Sequence, residues 1–202
     1  MSDKSRVLAV VLAAGRGRRF GRDKRREPLD DGKTLLRATL DRVSPHFAQV
    51  RVLLRPEDDA GALQVDSYPV VRSANADRGM GFSIADGFVA IRDMEAIAAA
   101  VLLGDMPCIE PETFRALLEH ASADRIVRPE FHGRAGHPVI FGRTFWGELA
   151  GLEGEEGARS VIHRHPDACM HIEVDDPGVL MDADRPEDLE ALRTRYRIIG
   201  RL

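Results

Sequence analysis

Apolar and polar positions alternate along the chain in a way that separates strands from helices. Val7 to Leu12 is an unbroken apolar run rich in Val and Leu, which predicts a strand buried on both faces of a parallel sheet. After Gly32, residues Leu36, Leu40 and Val43 recur at i, i+4 and i+7 and predict an amphipathic helix, and Val50 to Leu54 predicts a second strand. Pro56 is read as opening another helix. Pro69 to Val71 fits a short strand, and Ile84 to Ile91 a helix behind the turn Gly79-Met80-Gly81. Ala98 to Leu103 predicts a fourth strand that breaks at Gly104-Asp105-Met106-Pro107. Pro111 opens a helix with Phe114, Leu117, Leu118 and Ala121 on one face, and Ile126-Val127 and Pro138 to Phe141 read as strands. Phe145, Leu149 and Leu152 form a helical stripe, and His171 to Val174 and Val179 to Met181 look extended. Pro186 opens a closing helix with Leu189, Leu192 and Tyr196 inward. This alternation predicts an α/β fold: one domain over 1–202, a Rossmann-like three-layer sandwich with a mainly parallel sheet between helices.

The 202 residues suffice for one sizeable core, and 44% apolar with 31% charged residues is ordinary for a globular protein. No apolar run approaches bilayer length, and Met1 to Lys4 leads into the first strand without a signal-peptide layout, so a cytoplasmic location without a membrane partner is expected. Cys108 and Cys169 are far apart and in no metal-ligand spacing, which indicates neither a disulfide framework nor a zinc site. Charge changes the picture more. Between Arg16 and Arg26 stand seven basic residues and one acid, a balance of +6, so with a net charge of -4 the remainder carries -10. One basic loop on an acidic protein suits a small polyanion better than a nucleic acid, and apart from Phe20 no aromatic side chains interleave with those charges.

In an open α/β sheet, ligands bind beyond the carboxyl ends of the strands, so the first loop and the Gly104-Asp105 break are expected on one edge. The first loop, Leu12-Ala13-Ala14-Gly15-Arg16-Gly17-Arg18-Arg19-Phe20-Gly21-Arg22-Asp23-Lys24, has glycines at 15, 17 and 21 that let backbone N–H groups approach phosphates, with Arg19 and Lys24 to neutralise charge. It lacks the Gly-Lys-Ser/Thr ending of a P-loop, and Phe20 replaces the last glycine of a dinucleotide fingerprint. Taken alone, such a loop is as readily a solvated connection. Asp105 at the strand end offers a carboxylate through which a hard cation can reach triphosphate oxygens, although an Asp before Pro107 also suits a plain turn. Asp182 and Asp184 offer a second carboxylate; one caps the helix near Pro186 while the other faces the metal, and the sequence leaves open which.

From Leu12 to Lys24 the chain matches every fixed position of the motif Leu-Ala-Ala-Gly-x-(Gly/Ser)-x-Arg-Phe-Gly-x-x-Lys and thereby resembles the MobA-like nucleotidyltransferases, in particular the molybdenum cofactor cytidylyltransferases (MocA-type). Further matches follow in family order: Gly79-Met80-Gly81-Phe82-Ser83, Leu103 to Pro107, Gly136-His137-Pro138-Val139, Gly157-Ala158-Arg159 and Asp182 to Leu189. The resemblance implies a nucleotide-diphospho-sugar transferase-like fold. It implies that Leu12, Ala13, Ala14, Gly15, Gly17, Arg19 and Lys24 hold the nucleotide with Asn75, Gly81, Ser83, Gly104 and Asp105. Asp105, with Asp182 or Asp184, would hold Mg²⁺, and Arg19, Lys24 and Asp105 would be the catalytic groups. Arg134, His137 and Pro138 fall where a pterin-bearing acceptor lies, although His137 is as readily a structural histidine. Ala14, where guanylyltransferase relatives tend to carry Gly, favours CTP over GTP. Departures are Glu155-Glu156 in place of Asp-x, Arg185 in place of Thr, and the polar Arg25-Arg26-Glu27 where leucines are often seen; they bear on the acceptor.

The implied reaction is an in-line displacement: a phosphate oxygen of the acceptor, a molybdopterin-type cofactor, attacks the α-phosphorus of CTP and pyrophosphate leaves, with positioning and charge neutralisation as the protein's contribution. A molybdenum enzyme would receive the product. The competing readings are transfer of GMP, transfer to a sugar or polyol phosphate, and a non-catalytic nucleotide-binding module.

Overall fold

A computed structural model describes residues 6–17, 19–29 and 32–200. Arg18 of the basic loop and the first residues Met1 to Lys4 lie outside the described residues. The strands are β1 (Val7–Leu12), β2 (Gln49–Leu54), β3 (Val70–Arg72), β4 (Ala98–Leu103), β5 (Ile126–Phe131), β6 (Arg134–Ala135), β7 (Val139–Gly142) and β8 (Cys169–Glu173). The helices are α1 (Leu35–Val43), α2 (Met80–Ile91), α3 (Pro111–Glu119), α4 (Trp146–Ala150), α5 (Arg159–Arg164) and α6 (Pro186–Ile199).

One eight-stranded sheet runs β3-β2-β1-β4-β7-β5-β6, with β8 also paired to β5. β1, β2, β3 and β4 are parallel, as the Val- and Leu-rich runs predict. β7 runs antiparallel to both β4 and β5, so β5 again points along β4. The sheet is therefore mixed and mostly parallel. Successive residues of β1 supply opposite faces: Val7, Ala9 and Val11 pack with Leu36, Leu40 and Val43 of α1 and with Phe114 and Leu117 of α3. Leu8 and Val10 pack with Ile84, Phe88 and Ile91 of α2, Trp146 and Leu149 of α4, and Val161 of α5. This gives the expected three layers. α1 also presents Leu35 and Ala38 on its outer side, where Leu189, Leu192 and Ile199 of α6 cover them.

Two local expectations differ from the structure, and one helix had none. Pro56 opens turns rather than a helix, because the segment after β2 is organised by Asp58, whose carboxylate accepts from the Arg55 backbone N–H at 2.9 Å. Val179 to Met181 is not extended; Pro177–Leu180 form a 3-10 turn closed by Asp176, which accepts from the Gly178 N–H at 2.8 Å. α5 is too short for periodicity to reveal it. No helix among the described residues is long and apolar enough to cross a membrane.

Candidate active site

The loop after β1 is folded from both ends. Gly17 takes φ of +58° and its carbonyl accepts from the Phe20 N–H at 2.9 Å, which turns the chain so that Phe20, 3% exposed, enters the cluster between α1 and α6. The loop's second anchor is Arg25. Only 4% exposed, its guanidinium donates to the Ala13 carbonyl at 2.7 Å, to Asp58 Oδ1 at 2.8 Å and to Asp23 Oδ2 at 2.8 Å. Burial alone would push the Asp58 carboxyl up, but the hydrogen bonds from Arg25 and Arg55 together outweigh it and hold the group well below the usual carboxylate range. Ala13 at the strand end is thereby tied to the connection after β2.

Asp105 follows β4, the strand beside β1. A Cβ on Gly104 would stand 2.9 Å from Leu36 Cδ1 and 3.1 Å from the Leu12 carbonyl oxygen, so the missing side chain favours close packing of the two strand ends. The result is that Lys24 Nζ lies 2.5 Å from Asp105 Oδ2, although 81 residues separate them. The Ala183 N–H donates to the same oxygen at 3.3 Å, bringing in the segment before α6. Asp184 accepts from Arg19 at 2.5 Å and stands 3.8 Å from Lys24 Nζ. Asp184 does not cap α6: Pro186 occupies the first turn, the cap is Arg185, and Asp188 closes it by accepting from the Arg185 N–H at 2.7 Å. Both Asp182 and Asp184 face the cleft instead.

The Asp182 carboxyl is pushed up, first by burial and then by the charges of Asp105 and Asp184. Carboxylates crowded to this degree, with oxygen the only donor type, fit a hard divalent cation. Among the described residues no group of three or more His, Cys, Asp or Glu is placed to hold a metal ion by itself. A cation here would need phosphate oxygens and water to complete its shell, which is the habit of Mg²⁺.

The facing wall begins at α2. A Cβ on Gly79 would meet the Gly154 carbonyl oxygen at 2.3 Å, and the Gly81 N–H donates to that carbonyl at 2.8 Å, so the turn before α2 seats directly on the 153–155 loop. Between the walls lies a cavity of about 400 Å³. Leu12, Ala13, Ala14, Gly15, Gly17, Arg19, Lys24, Ser83, Gly104, Asp105, Asp182 and Asp184 all border it. Asn75 and Gly81 do not; Asn75 accepts from Arg78 at 3.2 Å, and Gly81 serves the packing just described. Across the cleft Arg16 pairs with Asp77. The exposed pairs of Arg16 and Arg19 are screened by solvent, so a phosphate can replace either carboxylate at small cost.

A second cavity of about 660 Å³ adjoins the first and shares Leu12, Arg19, Met80, Leu103, Glu155 and Asp182 with it. His137 lines it; Pro138, buried, and Arg134, exposed on β6, do not. The His137 imidazole is held below its usual pKa by burial and by the neighbouring Arg128 charge. Cys108 is fully buried and its thiol pushed up to about 12 by burial, so it is no thiolate nucleophile.

Two residues important to the site escape sequence reading. Arg25 looks like one more member of a solvated basic run, and only the unusual juxtaposition of Asp23, Asp58 and Arg25 marks it as buried. Arg128 interrupts an apolar strand, a signal that was available in Ile126-Val127-Arg128.

Comparison with known proteins follows the same lines. The family described as the MobA-like NTP transferase domain matches residues 9–169. Purine catabolism protein PucB of Bacillus subtilis (strain 168) is 29% identical over 199 residues, covering 93% of this chain and 96% of PucB. The crystal structure of the Rv0371c homolog from Mycobacterium sp. strain JC1 is 30% identical and superposes with a TM-score of 0.81 over 96% of this chain and 99% of that one. The manganese complex of Rv0371c from Mycobacterium tuberculosis H37Rv is 29% identical, with a TM-score of 0.74 over 94% and 98% of the two chains.

Proposed function

The chain belongs to the MobA-like NTP transferase family and is a nucleotidyltransferase, and on that premise we propose that it passes CMP from CTP to the phosphate of a molybdopterin-type acceptor, with Mg²⁺ as its metal. The observation that carries the reading is the approach of Lys24 to Asp105 at 2.5 Å across one cleft, which unites the basic loop and the β4 carboxylate on a single triphosphate-sized cavity. Ala14, which borders the cleft at the position where guanylyltransferase relatives tend to carry Gly, supports cytidine. A divalent metal is supported by the manganese complex of the Rv0371c relative and by the oxygen donors of Asp105 and Asp182.

Asp105 and Asp182 would hold the Mg²⁺, which would supply neutralisation of the phosphate charge. The chain's own groups do the rest. Backbone N–H groups of the Gly15 to Gly17 segment face the phosphates, and Lys24 and Arg19 exchange their carboxylate partners for phosphate oxygens. An oxygen of the acceptor phosphate forms a bond to the α-phosphorus as the bond from that phosphorus to the bridging oxygen breaks, and pyrophosphate departs with the electron pair. The attacking phosphate is already ionised at neutral pH, so no protein base is required.

Incubation with CTP, Mg²⁺ and molybdopterin, with the product identified by mass, tests the reading directly. The cytidine dinucleotide of the acceptor is expected. Magnesium-dependent thermal stabilisation should be larger with CTP than with GTP, ATP or UTP. A preference for GTP would transfer the reading to guanylyl transfer, and product only with sugar or polyol phosphates would reject the pterin acceptor.

A further inference from the structure

Arg128 of β5 carries a charge for which the protein supplies no partner. It is half-buried in the wall of the second cavity, its Nε is sealed from solvent without a hydrogen-bond partner, and it makes no ion pair among the described residues. Glu130, the nearest acid along its strand, is taken by His171 at 2.7 Å. Arg159, at the start of α5, adds an exposed second guanidinium to the same wall and is also without an ion pair or hydrogen bond to protein among the described residues. Glu155 and Glu156 border the cavity and pair with neither arginine. Burial, and after it the Arg159 charge, lowers the Arg128 pKa. An unpaired, partly desolvated guanidinium is unfavourable, and an anion entering the cavity relieves it.

Sheet order puts this charge on the far side of Asp105 from the basic loop. The strands run β1-β4-β7-β5, so Asp105 at the end of β4 stands between the loop after β1 and Arg128 on β5. In an in-line displacement the attacking and leaving oxygens lie on opposite sides of the α-phosphorus. With the pyrophosphate end on Lys24 and Arg19, the attacking phosphate comes from the β5 side.

The reach agrees with that direction. Val127 pairs with Ile140 and Ile140 with Ala100, so Arg128 is level with Val101, two strands over and four residues short of Asp105. Offsets of about 10 Å across the sheet and about 13 Å along it are ones that an arginine side chain can close to on the order of 10 Å. A guanidinium–phosphate hydrogen bond of about 2.8 Å, an approach of about 3.3 Å to the α-phosphorus and two metal–oxygen contacts of about 2.1 Å cover that span. His137, on the same wall, ties the groups together: its imidazole feels the charges of Arg128, Asp105 and Arg159, and its Nδ1 is buried without a partner.

We propose that Arg128 is the principal anchor of the acceptor's attacking phosphate, with Arg159 as a second, exposed contact. A phosphate dianion satisfies both guanidiniums and meets the α-phosphorus from the side opposite the leaving group. The body of the acceptor then lies along the apolar part of the cavity, beside Val101, Met106, Val139 and Phe141. Arg134, to which the family resemblance points, is exposed on β6 and borders neither cavity. The inference rests on the reading of a phosphorylated acceptor and names its anchor.

The test uses the full chain saturated with Mg²⁺ and the α,β-methylene analogue of whichever nucleotide stabilises it most, titrated with butyl phosphate and with butanol by calorimetry. Wild type should bind the phosphate ester and not the alcohol. Arg128→Met should weaken that binding about 10- to 100-fold, as for loss of a charge-assisted contact in a sheltered site, with nucleotide affinity unchanged. Arg159→Gln should weaken it less, and Arg128→Lys, which keeps the charge but not the fork, should recover part of the loss. No binding of butyl phosphate by wild type, or equal affinity in wild type and Arg128→Met, would overturn the anchor. If Arg128→Met does not fold, affinity unchanged in both Arg128→Lys and Arg159→Gln overturns it. The titration involves neither turnover nor a pterin. An anchor that fails therefore leaves the proposed transfer standing, and a product assay that finds no transfer to molybdopterin leaves the anchor standing.

Discussion

Replacing Arg25 by Met should be among the more damaging single changes outside the apolar core. The side chain is 4% exposed and Asp58 is 8% exposed, so the substitution removes one partner of a buried ion pair and leaves the other. Such a change costs about 3 to 5 kcal/mol when the remaining charge is stranded. Asp58 is not wholly stranded, since Arg55 Nη2 stays 2.9 Å from its Oδ1 and the Arg55 N–H 2.9 Å from its Oδ2, which favours the lower end. Loss of the bond to the Ala13 carbonyl adds roughly 1 to 2 kcal/mol, not strictly additive, so a total of about 3 to 4 kcal/mol follows. For a domain of this size the melting temperature should fall by about 6 to 16 °C.

Urea denaturation of wild type, Arg25→Met, Asp58→Asn and the double variant gives the pair coupling, expected at about 1 to 3 kcal/mol. The pH dependence has a definite sign. Because the folded Asp58 carboxyl titrates below its unfolded value, its contribution is fully present above about pH 4 and is lost as pH falls through the lower folded value. The gap between wild type and Arg25→Met should thus be constant from neutral pH to about 5 and close only in stronger acid. A destabilisation under about 1 kcal/mol at pH 7 would refute the assignment of Arg25 as a buried structural cation.

Asp105→Asn should lower turnover by about a hundredfold or more in a chain that still folds, measured by pyrophosphate release and thermal denaturation on one preparation. Gly104→Ala should destabilise by about 1 to 3 kcal/mol and weaken nucleotide binding together, because the new methyl must displace Leu36 or the Leu12 backbone; calorimetry and nucleotide titration read the two effects. Since the Asp182 carboxyl is raised, its metal-binding form is lost at a higher pH than for an ordinary aspartate, and Mn²⁺ or Mg²⁺ affinity measured between pH 7 and 4 should fall early in that range. In Asp182→Asn that early fall should disappear and affinity be lower throughout.

The four parallel strands, the principal helices and the cradle from Leu12 to Lys24 were legible because each announces itself locally. An unbroken Val and Leu run is a buried strand wherever it stands, and Gly104-Asp105 after such a run marks a strand end carrying a carboxylate. Other features gave no local signal. The antiparallel direction of β7 depends on the connection leading into it, α5 is only six residues long, and the choice of cap for α6 turned on Asp188 rather than Asp184.

The basic run from Arg16 to Arg26 draws the sharpest boundary. Its composition already pointed to a small polyanion, since charge density is additive along any compact loop. Its division of labour belongs to the folded chain alone: Arg25 is buried against Asp58, Lys24 meets Asp105, Arg19 meets Asp184 and Arg16 meets Asp77. Charge pairing acts over a few ångströms, and which carboxylates come within that range of a given arginine is decided by sheet order and loop path. Sequence neighbours with the same charge therefore acquire different burial, partners and tasks.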